Sequence, residues 1–147
     1  MIIIKTKTQF NPEFVYFLEP IKNNIINEGN FIRIIYSSSI FMLNGVYIMV
    51  DINSTNIEKF YNKYKYSFDI NQHKSTIDNI GNIEKQILNK YNIENKKPQY
   101  NIYEQLQHGF LKVFSNVNEK KNSLLLKISG IWENSNDYGV TFKFTMV

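Results

Sequence analysis

The 147-residue chain contains no alanine, no cysteine and a single arginine, Arg33; glycine, alanine, arginine and proline together supply ten residues. The lack of cysteine excludes disulfides, thiolate zinc sites and a cysteine nucleophile. No apolar run reaches the length of about 18 residues that a membrane-crossing helix needs. Ile2, Ile3 and Ile4, followed by Lys5 and Lys7, are too few for a signal-peptide core. The histidines, His73 and His108, lie in different segments, and neither has a second ligand at metal-binding spacing. A glycine-rich phosphate loop and a Gly-x-Ser-x-Gly elbow are both missing. Carboxylate pairs such as Glu58 with Asp69, or Glu133 with Asp137, are what any chain with 13 acids supplies. These absences predict a non-enzymatic protein with no catalytic residues, no cofactor and no metal. They also predict one that is neither secreted nor membrane-bound, located in the cytoplasm or nucleus of a host cell or associated with a virion.

What fills the chain is narrow. Phe, Tyr, Met, Ile, Asn and Lys make up 84 of the 147 residues. All six have A/T-rich codons, which points to an A/T-rich genome such as those of some large DNA viruses, phages, protists and small bacteria. Abundance of lysine and aromatics is therefore evidence about the genome, and only their arrangement bears on function. The net charge of +4 is spread along the chain without a basic or acidic tract. Such a balance permits contact with nucleic acid without demanding it. Length and composition predict one globular domain over 1–147.

The order of elements predicts an α+β fold, mostly antiparallel. Residues 2–8 read as a strand. Asn11-Pro12-Glu13 has a capping Asn, a Pro in the first turn and an acid, so short N-terminal helices follow. From Phe31 to Ile52, apolar runs flank Asn44-Gly45, the signature of a two-residue hairpin turn. That hairpin places Ile40, Met42, Tyr47 and Met49 on one apolar face, which suits a partner. Thr55 and Glu58 match a capping box, predicting a short helix to about Lys63. Tyr64 to Ile70 alternate as a strand.

The clearest helix covers about 76–91. Ile77, Ile80, Ile87, Leu88 and Tyr91 form its apolar stripe, Ile83 lies at the margin, and Glu84 falls off its centre. Gly81 within it suggests close approach to a sheet. Residues 100–106 alternate as a strand, with a helical turn also fitting Tyr103 and Leu106. Phe110 to Phe114 is a strand. At the C-terminus, Leu124, Leu126, Ile128, Gly130 and Trp132 point one way and face Val140, Phe142, Phe144 and Met146. This alternation pairs Trp132 with Val140, sets Phe142 over Gly130 and turns Trp132 inward. A hairpin, a third strand, a long helix and further strands is also the order of an OB-like barrel, which binds oligonucleotides or oligosaccharides.

Lysine interleaved with aromatics on strands is the pattern of a single-strand-binding surface, a basic groove beside stacking rings. The candidate nucleic-acid-binding residues are Lys63, Lys65 and Tyr66 on one strand, with Lys127, Tyr138 and Lys143 on the last hairpin. Ordinary solvent-facing lysines on half-buried strands would give the same pattern. Leu124 to Glu133 and Tyr138 to Phe144 together resemble the C-terminal hairpin of small proteins of large DNA viruses, some of them OB-fold single-stranded-DNA-binding proteins. The resemblance implies DNA binding on single strands. The acidic C-terminal tail usual in such binders is replaced by Phe144-Thr145-Met146-Val147. The alternative is a structural or protein-interaction module, a virion component or oligomer subunit, using Ile40, Met42, Tyr47 and Met49.

Overall fold

The computed structural model describes residues 9–22, 29–115 and 124–146. It is an α+β fold built on one mixed sheet. Its strands are β1 (Val15–Phe17), β2 (Ile21–Lys22), β3 (Asn30–Ser37), β4 (Met42–Leu43), β5 (Val46–Val50), β6 (Asn56–Phe60), β7 (Lys63–Ser67), β8 (Lys97–Gln99), β9 (Phe110–Ser115), β10 (Leu124–Glu133) and β11 (Asp137–Met146). Two helices, α1 (Lys74–Tyr91) and α2 (Asn101–Leu106), lie between β7 and β9 in sequence. The strand order is β1-β3-β10-β11-β9-β7-β6, with β5 beside β10, β8 beside β11, and β2 and β4 beside β3. Only β8 and β9 run parallel to their neighbour, β11. The sheet stays open, so the OB-like barrel is not formed.

One face of this sheet is the core. Val46, Ile48, Tyr66, Leu111, Val113, Leu124, Leu126, Ile128, Val140, Phe144 and Met146 are buried there. Against them pack α1 and α2, which reach β11, with α2 also on β9. From α1 come Ile77, Ile80, Ile83, Ile87 and Leu88, the expected stripe with Ile83 fully included. Each such side chain contributes about 1.5–3 kcal/mol on burial.

Glu84 departs from the stripe: it is fully buried rather than off-centre. Its carboxylate accepts the backbone N–H groups of Ile102 and Tyr103 at 2.9 and 3.0 Å. Helix α2 has no side-chain cap of its own, so a carboxylate from α1 satisfies its unpaired N–H groups. Burial raises the Glu84 pKa from 4.5 to about 6, with the two N–H donors pulling the other way. The ring of Tyr103 crosses Gly81, so that glycine serves helix-to-helix contact and not contact with a sheet.

Several elements differ from the sequence-based expectation, each for a local reason. Asn11 does cap, accepting from the Glu13 N–H at 3.0 Å. Yet only one 3-10 turn, Pro12–Phe14, follows before the chain becomes β1. Branched and aromatic Val15-Tyr16-Phe17 gain a ladder against Ile34–Tyr36 of β3. The expected strand over 2–8 lies outside the described residues.

Asn44-Gly45 is not a hairpin turn. Instead β4 pairs with β3, Tyr36 opposite Leu43, and β5 pairs with β10. The tight turn lies at Ser38–Phe41, where the Ser38 N–H donates to the Phe41 carbonyl. Gly45, at φ +124°, takes the chain past β10, where a Cβ would come within 2.7 Å of the Ile128 carbonyl oxygen. Thus Met42 and Tyr47 lie on different ladders, and the shared apolar face of Ile40, Met42, Tyr47 and Met49 is not assembled as expected.

Residues 56–60 are a strand, not a helix, because an isolated short helix is marginal whereas five residues here complete a ladder with β7. The Tyr61–Asn62 turn joins the two strands, with Tyr61 at φ +55°. Residues 101–106 are helix α2, the option that Tyr103 and Leu106 allowed.

The last hairpin forms, with a bulge. Ile128 pairs with Phe142 but Gly130 pairs with Thr141, leaving Ser129 over. Beyond it every side chain changes face. Trp132 therefore sits opposite Gly139, not Val140, and turns outward. Its ring lies across Gly139, where a Cβ would come within 2.8 Å of it. Phe31 of β3, rather than Phe142, covers Gly130.

Candidate nucleic-acid interface

The outward face of the sheet is assembled by register. On β7, Lys63, Lys65 and Ser67 point away from the core because Tyr66 points in. Lys65 pairs with Glu58 of β6 on one side and Lys112 of β9 on the other. Phe114 of β9 pairs with Lys63 and, in parallel, with Thr145 of β11. Extending that parallel register by two residues sets Lys112 alongside Lys143. Lys143 pairs directly with Lys127 of β10, and Lys127 with Tyr47 of β5. The result is a transverse row, Lys65-Lys112-Lys143-Lys127, bounded by Glu58 and Tyr47. Four strands at about 4.8 Å spacing make it about 14 Å long.

Aromatic rings are interleaved with this row. The Lys65 ammonium lies 4.8 Å from the ring centre of Phe110, and that of Lys127 5.4 Å from Tyr47. Phe114 carries two ammonium groups, Lys143 at 4.4 Å and Lys63 at 5.5 Å. All are within cation–π range. Phe60 and Tyr61, at the tip of the β6–β7 hairpin, are exposed, Tyr61 almost fully at 97%.

Like charges side by side on a sheet are destabilising. Among the described residues no ion pair neutralises any of Lys63, Lys65, Lys112, Lys127 or Lys143; the one present joins Lys96 to Glu133. The crowding is visible at Lys63, whose pKa is lowered by the hydrogen-bonding contact and the charge of Lys112. A surface of this kind can hold an anion, and the exposed rings of Phe60 and Tyr61 at its edge can take a flat apolar group.

Of the residues expected from sequence, Lys63, Lys65, Lys127 and Lys143 share this face. Tyr66 and Tyr138 do not. Tyr66 is fully buried on the core face, its hydroxyl donating to the Ile52 carbonyl. Tyr138 is buried at 4% and packs on Tyr91 of α1. Two-fold alternation explains both: residues flanking Lys65, or one before Gly139, must face the core. The sequence reading missed Lys112, Phe110 and Phe114, although Phe-x-Lys-x-Phe on β9 repeats the alternation used to select Lys63 and Lys65. The His73 Nε2 accepts the Asn53 N–H, and the described residues contain no group of three or more potential metal ligands. No helix among them is long and apolar enough to cross a membrane.

Compared with known proteins, the chain matches no family model, no curated protein and no solved structure.

Proposed function

We propose that the outward sheet face binds single-stranded nucleic acid, DNA in the first instance, without catalysis. The observation that carries this reading is the row Lys65-Lys112-Lys143-Lys127, in which no lysine forms an ion pair among the described residues, interleaved with Phe110, Phe114 and Tyr47. Lysines neutralise phosphates and release counterions. Ring faces take bases by stacking, which a duplex with paired, stacked bases does not offer. The composition and the likeness of the last hairpin to proteins of large DNA viruses favour a viral or phage-like source.

Fluorescence polarisation with labelled (dT)10 and a matched duplex tests the reading. Binding at low salt, a preference for the single strand, and a log–log salt slope of about −3 are expected for about four phosphate contacts. No binding at low salt overturns it.

A second reading, a protein-interaction module, is favoured by the exposure of Ile40 at 86% and Met42 at 71%. Tyr16, Leu18 and Ile35 join Met42 around an open groove of about 730 Å³. Light scattering at rising concentration tests self-association: a growing mass supports this reading, and a constant monomer mass excludes a homo-oligomer.

A further inference from the structure

The outward face is not uniform. Phe110, Phe114 and Tyr47 are each already covered by a lysine ammonium. At the β6–β7 tip, Phe60 and Tyr61 are open to solvent, with no ring or cation partner among the described residues. They border a cleft of about 560 Å³ that also includes Lys63, Lys65, Phe110 and Lys112. That volume is within the range of roughly 300–1,000 Å³ typical of small-ligand sites.

Two further observations converge on this cleft. Lys63 and Lys112 approach closely enough to perturb each other, a like-charge contact that a bridging anion would relieve. Tyr61 also holds a left-handed backbone, at φ +55°, that a bulky side chain rarely adopts. A glycine or asparagine would suit that turn better. The fold thus keeps a strained tyrosine that is 97% exposed among the described residues, beside a pair of repelling lysines. Strain of this kind is a pointer to function.

We propose that the β6–β7 tip is the anchoring subsite of the bound strand, with Lys63 and Lys112 gripping one phosphodiester together and the adjoining base stacking on Phe60 and Tyr61. This rests on the single-strand reading above and adds a fixed point to it. The rest of the row supplies more diffuse phosphate neutralisation.

The test compares equal charge losses at two places. Affinities for (dT)10 are measured at one salt concentration for wild type, Lys63→Gln/Lys112→Gln and Lys127→Gln/Lys143→Gln. An anchor predicts that the tip pair weakens binding about tenfold more than the row pair. Tyr61→Gly supplies a second arm that a folding defect cannot mimic. Its melting temperature is unchanged or raised, because glycine accepts the turn, while (dT)10 binds about tenfold more weakly, the loss typical of one stacked base. An abasic oligonucleotide should not register that substitution. If wild type binds but the two lysine pairs are equivalent, or Tyr61→Gly binds normally, the anchor is overturned and the single-strand reading stands. If wild type binds neither probe at low salt, the single-strand reading fails and the anchor with it.

Discussion

The two faces of the sheet are made from the same strands yet obey opposite rules. On the core face of β10, Leu124, Leu126 and Ile128 are fully buried, and the buried carboxylate of Glu84 on α1 is satisfied by two N–H donors of α2. On the outward face, Lys127 lies beside Lys143 with no carboxylate partner among the described residues. The core face minimises free energy within the chain. Its reverse tolerates repulsion that a mixture of signs would remove. If the outward face binds nucleic acid as proposed, neighbouring residues of one strand serve stability and binding separately, and substitutions at adjacent positions should separate the two.

The largest effect is expected at Leu126. Leu126→Ala leaves a cavity in the core and should lower stability by about 2–5 kcal/mol, read from urea denaturation. A loss below 1 kcal/mol would mean that the inner face is not close-packed. Next in size is Glu84. Glu84→Ala strips the cap from α2 and should cost about 1–3 kcal/mol. Because burial raises the Glu84 pKa, the folded state holds that proton more tightly than the unfolded chain does. The proton-linked part of its contribution to stability is complete below its ordinary pKa of 4.5 and is lost as pH rises through about 6, while the cap on α2 remains. Glu84→Gln should flatten that part of the stability–pH curve, and an unchanged curve would assign the dependence elsewhere.

The smallest expected change in stability is at Lys127. Lys127→Gln should alter it by no more than about 0.5 kcal/mol, as surface changes do, while reducing the magnitude of the salt slope for (dT)10 by about 0.7. If it unfolds the protein instead, the contrast between the faces is wrong. Trp132, the chain's only tryptophan, sits half-buried on the outward face and provides an intrinsic probe. Its fluorescence should respond to oligonucleotide in wild type and respond less after Lys143→Gln.

What the sequence revealed depended on how local the signal was. Helix α1 was legible because five apolar residues repeat at helical spacing, and the last hairpin because its alternation runs for ten residues. Residues 56–60 were misread because a capping box is a local signal, whereas their strand is fixed by pairing with β7. Likewise Asn44-Gly45 promised a local turn, but the pairing of β5 with β10 spans some eighty residues of sequence. For the interface, alternation gave the face of each lysine. The same alternation sends Tyr66 and Tyr138 inward, which their selection as binding residues overlooked; what it could not show is that four separate strands bring their lysines together. Glu84 was invisible for the same reason: its partners, Ile102 and Tyr103, belong to another helix.

Ser129 has a consequence that reaches past its own hydrogen bonds. As the one residue of β10 left over against β11, it acts as a parity bit for the strand. The bulge absorbs that extra residue, so Ile131 lies inward and Trp132 outward; a straight ladder through all ten residues would exchange the two, while Leu124 to Ile128 kept theirs. The same point marks where β5 hands the edge of β10 to β3. Deleting Ser129 would therefore turn the strand into one regular ladder with every face unchanged, whereas straightening the bulge with Ser129 kept would rewrite the outward surface beyond it and leave the lysine half intact.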